Sequence, residues 1–160
     1  MPDMLVKLYE LPALEEVLAK QQADGITIRR ALALEKQFVI EWVREHFSAG
    51  WGNECDVAFS RPPVACFIAI EEGQLIGFAC YNATYLNFFG PTGVLEKGRG
   101  RGVGKALLLA CLHAMKGLGY AYAIIGGVGP IKFYQNVAGA IEIEGSTPGV
   151  YAGLLERATS

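Results

Sequence analysis

The feature that most constrains this chain is a run of alternating glycines, Gly98-Arg99-Gly100-Arg101-Gly102-Val103-Gly104, set between an apolar stretch and a long segment of helix formers. The first turn of a helix leaves about four backbone N–H groups without intrahelical acceptors, and the helix dipole adds roughly half a positive charge at the same place. Glycine admits unusual backbone angles and lets a ligand approach those amides closely, so the run predicts a strand, a loop and a helix that together hold a phosphate or diphosphate. Arg99, Arg101 and Lys105 can add charge to it. The net charge of -2 leaves no broad basic face of the kind that displaces counterions from nucleic acid, so any phosphate site is local.

The surrounding pattern alternates strands and helices. Apolar, β-favouring runs cover Met4 to Tyr9, Ile26 to Arg30, Val64 to Ile70, Leu75 to Thr84, Tyr85 to Leu95 and Tyr120 to Ile125, with short last strands over Ile141 to Ile143 and Tyr151 to Leu155. Glu71-Glu72-Gly73-Gln74 reads as a hairpin link, and Gly90-Pro91 should bulge or interrupt its strand. Helical spacing marks Ala13 to Ala23, Leu34 to Phe47 with Phe38, Trp42 and Val43 on one side, Gly104 to Lys116, and a short helix opened by Pro130; Ser48 to Pro63 reads as a loop. With 52% hydrophobic and 19% charged residues the chain can bury a core, and no repeat or linker divides it, so residues 1–160 are expected to form one mixed α/β domain of the α+β class.

Counting excludes two familiar phosphate motifs. A P-loop would need glycine at Arg99 and Ser or Thr at Ala106; a GxGxxG fingerprint would need glycine at Val103 or at Lys105. The pattern Arg/Gln-x-x-Gly-x-Gly/Ala is met by Arg99, Gly102 and Gly104, with Val94 five residues ahead, and a second block, Phe133-Tyr134-Gln135-Asn136-Val137-Ala138-Gly139-Ala140, follows a further strand. In order and spacing these two blocks resemble the GNAT superfamily of acetyl-CoA-dependent N-acetyltransferases, and the likeness spans residues 64–143.

That resemblance implies a central, mostly antiparallel twisted sheet flanked by helices, with a splayed strand pair at the cofactor site. It implies acetyl-CoA as co-substrate and a primary amine as acceptor. Val94, Leu95 and Glu96 would meet the pantetheine arm, with backbone N–H groups near Val94 and Leu95 as donors to the acetyl oxygen. Arg99, Gly100, Arg101, Gly102, Val103, Gly104 and Lys105 would hold the diphosphate, and Tyr134 would be the general acid for the leaving thiolate. The chain departs from the family pattern at Ala138, an extra residue before Gly139, at Ala140 and Glu96, and over Gly126–Pro130, which has no asparagine. Phe88 stands where some relatives carry a glutamate base.

The base is therefore sought elsewhere: Glu54 and Asp56, beside Trp51, lie where the family binds acceptors. His46 and His113 read as structural. Cys55, Cys66, Cys80 and Cys111 have no metal-ligand spacing and read as reduced core residues, so no metal is expected. Without a secretion signal or an apolar run of ~20 residues, a cytoplasmic protein that binds neither nucleic acid nor membrane is expected. Residues 1–25 lie outside the likeness and are left to pack on the core or to support a homodimer. Two other readings stay open: a CoA-binding module of the same fold without transfer activity, and an interaction domain whose glycine run is only a turn.

Overall fold

The computed structural model describes residues 1–155, and in chain order these form β1 Met4–Lys7, α1 Glu15–Ala23, β2 Ile26–Arg30, α2 Lys36–His46, α3 Ala49–Phe59, β3 Cys66–Glu71, β4 Gln74–Tyr81, β5 Phe88–Val94, α4 Val103–Gly117, β6 Tyr122–Ile125, α5 Ile131–Ala138 and β7 Ile141–Glu142. The strands build one open sheet in the order β2-β3-β4-β5-β6-β1-β7. Every neighbouring pair is antiparallel except β5 with β6. This is the expected mixed, mostly antiparallel architecture.

The centre of the sheet is nucleated by the β3–β4 hairpin. Glu72 and Gly73 have φ of 51° and 74°, the pair of left-handed conformations that a two-residue turn needs to match strand twist. From Ile76 to Tyr81 β4 is buried on both faces, as a strand covered by helices on each side must be. On one face α4 comes so close that a Cβ at Gly77 would lie 3.0 Å from Leu107 Cδ1, which is why that position is glycine. On the other face Phe78 meets Trp42 of α2 and Phe47 at ring-centroid distances of 6.2 and 5.5 Å. The four cysteines are buried and unpaired; Cys66 and Cys80 face each other across β3 and β4.

Three expectations are corrected. Ser48 to Pro63 is not a loop: residues 49–59 form α3, started by the Ser48 hydroxyl accepting from the Trp51 N–H at 3.1 Å and packed so closely on α2 that Gly52 abuts the Arg44 stem. Phe38 is not on the core side of its helix, where Val39, Ile40, Trp42 and Val43 are buried; it is 67% exposed in the first turn. Tyr151 to Leu155 is not a strand, because left-handed Gly149 and Gly153 break the extended run, and Gly149–Tyr151 form a 3-10 turn. Residues 1–25 pack on the core: β1 is inserted between β6 and β7, and Gln21 of α1 is buried under the glycine run.

Candidate active site

The site begins where β5 and β6 part. They pair only at Phe88–Ile124 and Phe89–Ile125. Just beyond, Ala79 faces Thr92 while Tyr81 faces Phe89, so Gly90 and Pro91 stand together opposite Cys80 as a bulge, with Gly90 at φ 122°. β5 then follows β4 alone, while β6 ends and turns through Gly126–Gly129. Between the diverging ends lies a cleft of about 670 Å³, floored by Gly104 and Leu108 of α4 and walled by Phe133 and Tyr134 of α5.

The ladder settles which backbone groups face this opening. The Leu95 N–H donates to the Ile76 carbonyl at 2.8 Å, so it is spent inside the sheet and is not a donor for a ligand. Because antiparallel pairs alternate, Val94 and Thr92 point their backbone groups the other way, toward the cleft. Of the two donors expected, only the Val94 amide is available. The Val94 carbonyl accepts from Arg99 Nε at 3.3 Å.

Beyond Val94 a 3-10 turn over Glu96–Gly98 leads into the glycine run, where Gly100 and Gly102 adopt φ of 75° and 79°. Gly102 starts α4 with no side-chain cap, and its carbonyl accepts from Ala106 at 3.0 Å. Among the described residues no protein acceptor meets the N–H groups of Gly102, Val103, Gly104 or Lys105. The loop is held from behind: Gln21 Nε2 donates to the Arg101 carbonyl at 2.9 Å, and the Arg101 guanidinium makes a two-pronged pair with Glu71 at 2.9 and 2.5 Å. Arg101 is thus committed to the β3–β4 turn rather than to a ligand. Glu96, Arg99 and Lys105 are exposed on the rim, and Val103 is in the core with only its amide on offer. A set of unpaired amides at a helix mouth, an unencumbered glycine backbone and an adjoining apolar slot suits a diphosphate carrying a long arm.

Tyr134 lies on the cleft wall, its ring 6% exposed and packed edge-on against Phe89 and Phe133 at 6.4 and 5.0 Å. Burial raises its phenol to about 12, so it stays protonated throughout the neutral range. Trp51 and Glu54, three residues apart on α3, share one helix face and both line the cleft. The Glu54 carboxylate accepts from the Thr84 hydroxyl, and burial raises its pKa despite that bond. Asp56, two residues on, points off that face into an ion pair with Lys36 at 3.1 Å and does not reach the cleft.

Both histidines are tied to backbone: His46 Nδ1 sits 3.0 Å from the Trp42 carbonyl and His113 Nε2 sits 2.7 Å from the Pro12 carbonyl. Reading the sequence missed Thr84, Phe89, Phe133 and Tyr151 as wall residues and Gln21 as the loop's support. Tyr151 lies against the end of β6, its hydroxyl 2.5 Å from where a Cβ at Gly126 would stand. No local signal places a C-terminal tyrosine there; only the topology does.

Residues 31–139 match the family model described as acetyltransferase (GNAT) family. No curated protein matches the chain in sequence. Solved structures of similar fold include a GCN5-related glucosamine N-acetyltransferase region of a fungal multi-domain beta-N-acetylglucosaminidase, at TM-score 0.71 and 15% identity over 89% of this chain and 19% of that one. A GCN5-related N-acetyltransferase from Sphaerobacter thermophilus gives 0.64 and 21% over 89% of this chain and 48% of that one. An aminoglycoside N-acetyltransferase in complex with CoA gives 0.52 and 22% over 70% of this chain and 86% of that one. This chain spans less than half the length of the first two. The family match covers most of the chain, and the splayed strands and glycine-run helix are the fold that match calls for: the chain belongs to the GNAT acetyltransferase family.

Proposed function

We propose that the protein transfers an acetyl group from acetyl-CoA to a primary amine, both substrates meeting in the cleft between β5 and β6. The observation that carries this is the unpaired amide set at the start of α4, opening directly onto an apolar cleft that ends at Tyr134 and Glu54. Bound there, acetyl-CoA supplies an acyl carbon activated by its thioester.

Each residue then has a task. The amides of Gly102–Lys105 receive the diphosphate, and the Val94 N–H donates to the acyl oxygen as negative charge grows on it. Glu54 takes the proton that the bound ammonium must lose before its nitrogen can attack, and the second N–H proton, released as the N–C bond forms, restores the Tyr134 phenol; its raised pKa brings Glu54 nearer the amine and makes it a better acceptor than an ordinary carboxylate. Tyr134 gives the proton that the sulfur needs as the C–S bond breaks. A phenol at about 12 is a reluctant donor to a thiolate of pKa near 8.5, but the same apolar walls that raise one raise the other and narrow the gap.

The test is CoA thiol release with a panel of amines, for the wild type and for Tyr134→Phe. Tyr134→Phe should lower kcat by about 10²–10⁴ while changing acetyl-CoA affinity by less than about threefold. Normal turnover in that variant would remove the acid role. Tight acetyl-CoA binding with no turnover on any amine would favour a CoA-binding module of the same fold.

A further inference from the structure

Resting on the acetyl-transfer reading above, we infer that the acceptor is a monoamine: one primary ammonium on an apolar, preferably aromatic, body, rather than a polyamine, an aminoglycoside, an amino sugar or a basic peptide.

The inference comes from counting charges on the cleft wall. Among the described lining residues Glu54 carries the only carboxylate, no lysine, arginine or histidine is present, and the one other charged group, the Met1 α-ammonium, makes no ion pair with Glu54. Among the described residues its one hydrogen bond is from the uncharged Thr84 hydroxyl, and it makes no ion pair with any of them. A partly buried carboxylate without a cationic partner is costly, and an incoming ammonium supplies the missing counter-charge. A second or third ammonium on the same molecule would find no carboxylate and would be stripped of water against apolar surface.

The body of the acceptor is read from the other side chains at that end. Trp51 is one helical turn from Glu54 and stacks with Phe47 at 5.5 Å; Tyr151 and Phe89 complete the wall. These offer ring faces and edges to an aromatic or aliphatic group. The hydroxyls near them, Thr84, Thr92, Tyr134 and Tyr151, are few for a polyhydroxylated sugar, and Thr84 and Thr92 already donate to Glu54 and to the Phe78 carbonyl.

The experiment is steady-state kinetics of the full chain with saturating acetyl-CoA and five named acceptors: tryptamine, phenethylamine, spermidine, kanamycin and glucosamine, with acetyl-CoA binding measured alongside by calorimetry. The two arylalkylamines should exceed the other three in kcat/KM by at least about tenfold, the usual worth of one well-placed apolar contact or more. Glu54→Gln should cost them at least about tenfold more in kcat/KM than Asp56→Asn does, since Asp56 is turned away from the cleft. A preference for spermidine, kanamycin or glucosamine, or no discrimination among the five, would overturn the inference while leaving acetyl transfer standing. Failure to bind acetyl-CoA would instead remove the parent reading, and the inference with it.

Discussion

Gly102→Ala should cost more than Gly100→Ala, although both glycines sit at nearly the same backbone angle, φ 79° and 75°. An alanine held in that left-handed region is strained by about 1–2 kcal/mol, and this is the whole expected cost at Gly100, where an added Cβ meets nothing within 4 Å. At Gly102 the same Cβ would stand 3.1 Å from Gln21 Nε2, tighter than ordinary contact, so the amide must shift by a few tenths of an ångström and its 2.9 Å bond to the Arg101 carbonyl is weakened. A weakened hydrogen bond of that kind adds up to about 1 kcal/mol, bringing Gly102→Ala to as much as roughly 2–3 kcal/mol. Urea unfolding of both variants measures the difference, and a Gln21→Ala background should abolish it. Acetyl-CoA affinity should fall about 5–30-fold in Gly102→Ala, by conversion of the strain energy that binding must now restore. Equal stabilities for the two variants, or a difference that survives Gln21→Ala, would refute the role given to Gln21; unchanged affinity would refute the role given to the loop.

Leu107→Ala should destabilise the fold by about 2–5 kcal/mol in urea, because this fully buried side chain fills the space opposite Gly77. Paired with Arg29 at 2.7 Å, Glu35 has its carboxyl held at about 2, below the usual 4.5, so its contribution is complete above pH ~4.5 and is lost as pH falls through about 2. The full shift would be about 3 kcal/mol, but with side chains 37% and 30% exposed, solvent screening leaves ~1 kcal/mol; Glu35→Gln should remove that acid-limb loss from a pH series of unfolding midpoints. In the pH profile of kcat/KM, activity should rise as Glu54 deprotonates at a pKa above the ordinary carboxylate range, and no alkaline loss assignable to Tyr134 should occur until about pH 12. A Glu54→Gln profile that keeps the same acid limb would exclude Glu54 as its source.

Much of the fold was legible because each element carries its own local signal. The hairpin at Glu72-Gly73, the bulge at Gly90-Pro91 and the start of α4 after Gly102 are dictated by which residues tolerate left-handed or interrupted backbone. α3 was missed because Gly50 and Gly52 depress helix propensity and mask the Ser48 cap; packing against α2 overrides that weakness. The error carried into the site. Read as a loop, the segment left Glu54 and Asp56 equivalent, whereas a helix turns residues two apart to opposing sides and sends one to the cleft and the other to Lys36. Arg101 was read as a phosphate contact because nothing local reveals that Glu71, from another hairpin, waits beside it. Thr84, Tyr151 and Gln21 belong to the same class: their places are set by topology, which a pattern along the chain does not encode.

The position of β1 has a bearing on biogenesis. Met4 pairs with Ile125 and with Glu142, and the Asp3 carboxylate accepts from the Gly127 N–H at 2.9 Å, in the turn that bounds the cleft. β1 is therefore made before either strand it pairs with, and it must stay unpaired until β6 and β7 have followed it. The half of the sheet that frames the cleft closes late, so a substitution that weakens β1 pairing should be felt as a slow gain of acetyl-CoA binding on refolding, more than as a loss of helix content.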